Sequence, residues 1–178
     1  MRSVFSATPS QSPEHHVGWR WWVSVWLPVA IALTVIAIES TATFSAQNTS
    51  SWLRPVFERV VGRMSDRVWE PLHHYLRKTG HFLGYGTVGF TFLRAWLHTR
   101  ARRGIATLLA WRLECTVLAV LSTALVASLD EFHQTFLPGR TGVPSDVLLD
   151  TSGACVLCLL IWLARWRGRR NAGEPLEA

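Results

Sequence analysis

The chain alternates between long apolar stretches and short, densely polar ones, and the apolar stretches point to the fold class. From Trp21 to Ile38 run eighteen residues without a charge, close to the roughly 20 that cross a hydrocarbon core as a helix. Three later runs are shorter: twelve uncharged residues from Phe82 to Leu93, fifteen from Cys115 to Leu129 and fourteen from Thr151 to Ala164. In each the shortfall comes from polar residues at one end, and packing those residues against protein or the membrane interface lengthens the helix. The expected fold is all-α: a polytopic membrane protein of four transmembrane helices, at 19–38, 77–97, 113–131 and 146–166, plus an amphipathic interfacial helix.

That fifth helix is read from the connection between the first two spans. After "NTSS", the stretch "RPVFERVVGRMSDRVWEPLHHYL" sets Phe57, Val60, Val61, Met64, Val68 and Leu72 at helical spacing, with most charges on the other face and Pro55 suited to a first turn. Segment 54–76 is therefore expected to be one amphipathic helix, either lying in the outer interface or docked over the mouth of the bundle. Either placement roofs the outer side. Residues 1–18 are polar and aperiodic and read as a disordered cytoplasmic tail; residues 167–178 read as a basic cytoplasmic tail. Cleavage after "IESTATFSA" is disfavoured, since those small residues follow a span already long enough to anchor.

Composition agrees with a membrane protein: 49% of the 178 residues are hydrophobic, ten are Trp, and mean hydropathy is +0.18. A formal charge of +6 and a pI near 10.2 raise nucleic acid as a partner, but the basic residues flank apolar runs, as in "RRGIATLLAWR" and "RWRGRR", with no nucleic-acid module around them. They read instead as topology signals. The 94–112 connection carries Arg94, Arg100, Arg102, Arg103 and Arg112, and the C-terminal tail carries Arg165, Arg167, Arg169 and Arg170. Positive charge favours the cytoplasmic side. Four spans then place both termini in the cytoplasm of a multi-pass inner-membrane protein, with 39–76 outside despite its own arginines. Cys115, Cys155 and Cys158 lie within apolar runs and read as packing residues.

This topology brings the unusual polar groups to one face. The first span ends there at Glu39, the second begins with "RKTGHFLGYG", the third ends with Asp130, Glu131, His133 and Gln134, and the fourth begins with Asp146 and Asp150. Lys78, His81 and Tyr85 share one helix face, as do Asp146, Asp150 and Gly153, and Asp130 aligns with Gln134 if the third helix continues. Ionisable groups beside spans are costly unless they face the bundle interior, one another or water. The candidate cluster is Lys78, His81, Tyr85, Asp130, Glu131, Gln134, Arg140, Asp146 and Asp150. In the intervening loop Pro138 and Gly139 turn the chain, Arg140 offers a fork of donors, Ser145 is the expected N-cap and Asp146 falls in the first turn. Gly80 and Gly84 are spaced for close helix contact within the bundle.

Two readings of the cluster stand side by side. Lys78, Arg140 and two helix N-termini make an anion site, whereas four carboxylates oppose one unless they are paired, protonated or holding a divalent ion. The alternative is an interhelical clamp in which Arg140 bridges acids on two helices and His81 and Tyr85 complete the hydrogen bonds. No cofactor is expected.

The two blocks "RKTGHFLGYGTVGF" and "DEFHQTFLPGRTGVPSDVLLDTSG" resemble the conserved blocks of the VanZ-like family of small bacterial membrane proteins, and the resemblance extends over roughly residues 20–166. Where that family commonly has Asn three residues before the final glycine, this chain has Asp150. The family is named for a protein associated with teicoplanin resistance, so the resemblance implies a role in the bacterial cell envelope and no particular reaction. The leading expectation is binding or modification of a lipid headgroup or lipid-linked phosphate, with Arg140 and Lys78 on the anion, Asp146 orienting Arg140 or a metal, and His81 exchanging a proton. An enzyme is the second class. Arg140, Asp146 and Asp150 echo the spacing of membrane lipid-phosphate phosphatases, but an aspartate stands at the nucleophilic histidine position, which leaves metal-assisted hydrolysis. A proton relay or transporter is the third.

Overall fold

The computed structural model describes residues 18–100, 108–140 and 142–172. The tail expected at 1–18, arginines 102 and 103, and the end of the C-terminal tail lie outside the described residues, save for Gly18. Among those described there are five α-helices and no strand: α1 (Trp19–Glu39), α2 (Ala46–Val61), α3 (Asp66–Arg100), α4 (Leu108–Gln134) and α5 (Pro144–Ala172), with a 3-10 turn at Ala42–Phe44 after α1.

Helix α1, and the stretches Leu109–Gln134 of α4 and Pro144–Arg165 of α5, are long and apolar enough to cross a membrane. Their outward faces are apolar as well. Leu113, Val117, Leu121, Leu125 and Leu129 recur every fourth residue down α4, and all are exposed; so are Leu27, Ile31 and Val35 on α1. Apolar surface this extensive is stable only against lipid or protein. Three membrane-crossing candidates make this a multi-pass membrane protein.

Helix α3 is the spine. Its 35 residues reach about 52 Å at 1.5 Å per residue, and the other long helices pack along it. Helix α1 runs antiparallel to it: Arg94 donates to the Val25 carbonyl at 3.1 Å, and Trp26 meets Trp96 edge to face at one end, while Ile36 approaches Gly84 near the other. Helix α4 is also antiparallel, with Trp96 donating to Ser122 at one end and Tyr85 to Asp130 at the other. Helix α5 is parallel to α3, since Lys78 meets Asp146 and Gly89 meets Ala154. The core between them holds Tyr85, Val88, Phe92, Ala119 and Ala127, together with Cys115 and Cys158, which pack there as free thiols. Cys155 is a free thiol on the exposed side of α5.

Close packing of α3 on α5 depends on three glycines other than Gly80 and Gly84. A β-carbon on Gly153 would collide with the Phe82 carbonyl, one on Gly89 would stand 2.5 Å from the Ala154 β-carbon, and one on Gly86 would stand 3.3 Å from the Gly153 carbonyl. Small residues at such a seam let backbones approach for dispersion contact. Gly80, by contrast, has nothing within 4 Å of a built β-carbon, and Gly84 faces Ile36 on α1. The expected helix contact within the bundle is therefore made at Gly84, against α1, while Gly80 looks onto a cleft.

Segment 54–76 is also not one helix. It divides at Gly62, whose φ of +91° ends α2, and residues 66–76 form the first turns of α3, running through Pro71 without a break. Arg54 fastens the corner, donating to Glu58, Asp66 and the Met64 carbonyl. Pro55 is interior to α2 because the helix starts nine residues earlier, where the Ser45 side chain accepts from Asn48 N. Helix α2 docks on the projecting part of α3 through Thr49 and His73 at 3.0 Å, Trp69 to Ser50 at 2.7 Å, and Phe57 against Trp69.

Candidate functional site

The end of α1, the corner before α2, the first half of α3, the end of α4 and the start of α5 meet at one end of the bundle. Helix α4 does continue to Gln134, so Asp130 and Gln134 lie one turn apart. Helix α5 begins at Pro144, one residue before the expected cap, because proline's fixed φ and missing N–H suit a first helical position; Asp146 sits in the first turn as expected. The residues of the candidate cluster then separate into two groups by what they touch.

One group holds the frame. Tyr85 is fully buried and donates to Asp130 Oδ2 at 2.9 Å, and Gln134 Nε2 donates to the same oxygen at 3.0 Å. Buried Glu131 accepts from the backbone N–H of Val143 at 2.8 Å, tying the end of α4 to the loop entering α5. Arg140 is buried too. It bridges no acid among the described residues; its Nη2 donates to the carbonyls of Glu39 and Thr41, the latter at 3.1 Å. Those carbonyls belong to the C-terminal end of α1, where unsatisfied acceptors concentrate, so Arg140 pins that end to the α4–α5 loop. Burial pushes the Arg140 guanidinium below its ordinary pKa, which a guanidinium tolerates while staying charged.

The other group faces a cavity of about 250 Å³. From α3 come His74, Arg77, Lys78 and His81; from α5 come Asp146 and Asp150; Gln134 and Arg140 complete the polar wall, and Ala46 at the start of α2 stands on its roof side. Lys78 pairs with Asp146, so Asp146 orients a lysine and not the arginine. His81 Nδ1 stands 3.7 Å from Asp150 Oδ2. Asp150 has no exposed surface, and neither carboxylate oxygen has a hydrogen-bond partner. Buried polar atoms without partners are rare and ask for an explanation.

His74 and Arg77 were not in the expected cluster. Their signal was present as the spacing of 74, 77, 78 and 81, one face of a helix, but it was divided between an amphipathic segment and a span. Arg77 is half-buried and makes no hydrogen bond or ion pair with a described residue; Asp146 is the acid whose charge reaches it. Among the described residues no three His, Cys, Asp or Glu side chains gather as a metal site.

Comparison with protein families matches residues 22–165 to the VanZ/LLP1 family model. The match covers most of the chain, which therefore belongs to that family. No curated protein and no solved structure matches.

Proposed function

We propose that this VanZ/LLP1 member is a four-span protein of the bacterial inner membrane whose outward-facing pocket holds the anionic headgroup of a membrane amphiphile, a lipid headgroup or a lipid-linked phosphate. The fourth span is α3. Its composition hides the crossing because most of its charged residues lie in the first third, on the face turned to the pocket and in the last two turns, and the length after the first third exceeds a hydrocarbon core of about 30 Å. Positive charge at 94–112 and after 165 favours the other end of the bundle for the cytoplasm, so the pocket opens outward and both termini lie inside.

The observation that carries the reading is Arg77. Lys78 and Arg140 are engaged by Asp146 and by the end of α1, whereas Arg77 lines the same cavity with its fork of donors uncommitted. A planar guanidinium of this kind matches phosphate or carboxylate oxygens two at a time. A clamp accounts for Glu131, Asp130, Tyr85 and Gln134, and for Arg140 only through backbone carbonyls in place of acids, and it leaves Arg77 and His74 without a task. The metal-assisted hydrolase has no ligand group to rest on among the described residues.

Native mass spectrometry of the protein in lipid nanodiscs tests this. Wild type is expected to retain an anionic lipid-derived mass that Arg77→Gln loses, with unfolding temperature kept. An adduct equally strong in both, or none in wild type, would sink the proposal.

A further inference from the structure

The inference rests on the headgroup reading and concerns the rest of the ligand. A second cavity, about 530 Å³, lies in the cleft between α1 and α3, within the range of small-molecule sites. Its α1 wall carries Leu27, Ile31 and Val35; its α3 floor is Gly80, Gly84, Thr87 and Thr91. The two threonine hydroxyls already donate to their own helix, to Leu83 O at 3.0 Å and Val88 O at 2.8 Å. The floor therefore makes no polar demand on an occupant. It is open because two of its positions have no side chain, and a β-carbon on Gly80 would meet nothing within 4 Å.

The cleft and the polar pocket meet. Arg77, Gly80 and Gly84 follow one another at three and four residues, so they lie along one face of α3; Arg77 lines the pocket while the glycines floor the cleft. On the opposite lip Glu39 lines the cleft, and its carbonyl receives Arg140, a pocket residue. From Gly80 to Thr91 is about 16 Å along the helix, close to half of a 30 Å hydrocarbon core.

We infer that the α1–α3 cleft receives a hydrocarbon chain of the amphiphile whose anionic headgroup occupies the pocket, so that one molecule spans both cavities across the Arg77–Glu39 lip. An aqueous metabolite has no use for the cleft, and a neutral lipid has none for Arg77. The ligand class is thus an anionic amphiphile lying within a single leaflet, with its charge at the outer end of α3.

The test compares hexadecyl phosphate with ethyl phosphate, titrated against the detergent-solubilised full chain with intrinsic Trp fluorescence as the readout. The double variant Gly80→Leu/Thr87→Leu fills the cleft without touching the pocket. It is expected to weaken hexadecyl phosphate at least about tenfold and leave ethyl phosphate unchanged, while Arg77→Gln weakens both. Unchanged hexadecyl phosphate binding in the filled variant would overturn the inference and make the cleft an ordinary contact for bulk lipid, with the headgroup reading intact. A dimer in wild type that the filled variant abolishes would also overturn it, by assigning the cleft to a second copy of the chain. Failure of wild type to bind either phosphate would remove the headgroup reading itself.

Discussion

His81 Nδ1 faces Asp150 Oδ2 at 3.7 Å, and that carboxylate is buried with no hydrogen-bond partner. An isolated buried carboxylate costs free energy that an amide does not. Asp150→Asn is therefore expected to stabilise the detergent-solubilised protein by about 1–3 kcal/mol, seen as a higher unfolding temperature. A variant less stable than wild type would show that the carboxylate is satisfied in the wild type, by His81 or by a bound group.

The α3–α5 seam gives a sharper contrast. Gly153→Ala drives a methyl into the Phe82 carbonyl and is expected to cost about 1–3 kcal/mol in a reversible unfolding assay, whereas Gly80→Ala, which meets open space, stays within about 0.5 kcal/mol. Equal effects would place the helix contact at the wrong glycines.

Arg140→Lys keeps the charge and loses the fork. One ammonium does not reproduce a guanidinium held between the Glu39 and Thr41 carbonyls. Faster hydrogen exchange or proteolysis confined to residues 40–45 is the expected outcome, with the α3–α5 seam protected as before. No change there would mean that α1 is held by its contact with α3 alone.

Docking of α2 should depend on pH. Burial, then the nearby charges of Arg77 and His74, hold the His73 pKa below its ordinary 6.5. The docked state thus binds fewer protons than one in which His73 is exposed, and stability rises with pH across that window. The contribution is complete above about pH 6.5 and is lost as pH falls through the lowered docked value. Fluorescence of Trp69, isolated in a single-tryptophan background, is expected to report release of α2 on acidification, and His73→Gln is expected to flatten the profile.

Labelling tests the topology. A cysteine replacing exposed Arg67 should react with an impermeant maleimide from outside intact cells, and one replacing His98 only after the membrane is opened. Labelling of both from one side would show that α3 does not cross.

How far the sequence could be read depended on which interaction fixed each feature. The apolar runs of α1, α4 and α5 were visible because lipid imposes a length. The convergence of Lys78, His81, Asp146 and Asp150 followed from topology, since α3 and α5 start at the same end. The division at Gly62 was hidden because the hydrophobic period carries across it, while the break comes from one left-handed residue and a single arginine bracing the corner. The partnership of Arg140 was hidden for another reason: backbone carbonyls at the end of α1 carry no side-chain signature, so acids seemed the obvious partners. Gly86, Gly89 and Gly153 were obscured by Gly80 and Gly84, which have equally good spacing on a different face.

The seam between α3 and α5 also constrains how a guest can enter. The helices carrying Arg77, Lys78, His81, Asp146 and Asp150 meet backbone against backbone at Gly86, Gly89 and Gly153, which makes that wall of the pocket the stiffer one. The α1 side is held by side chains instead: Arg94 and Trp26 at one end, and Ile36 and the Arg140 contact at the end nearest the pocket. On the proposed reading a guest enters from the lipid on the α1 side, where the Arg140 contact and the packing of α1 along α3 would together set its residence time.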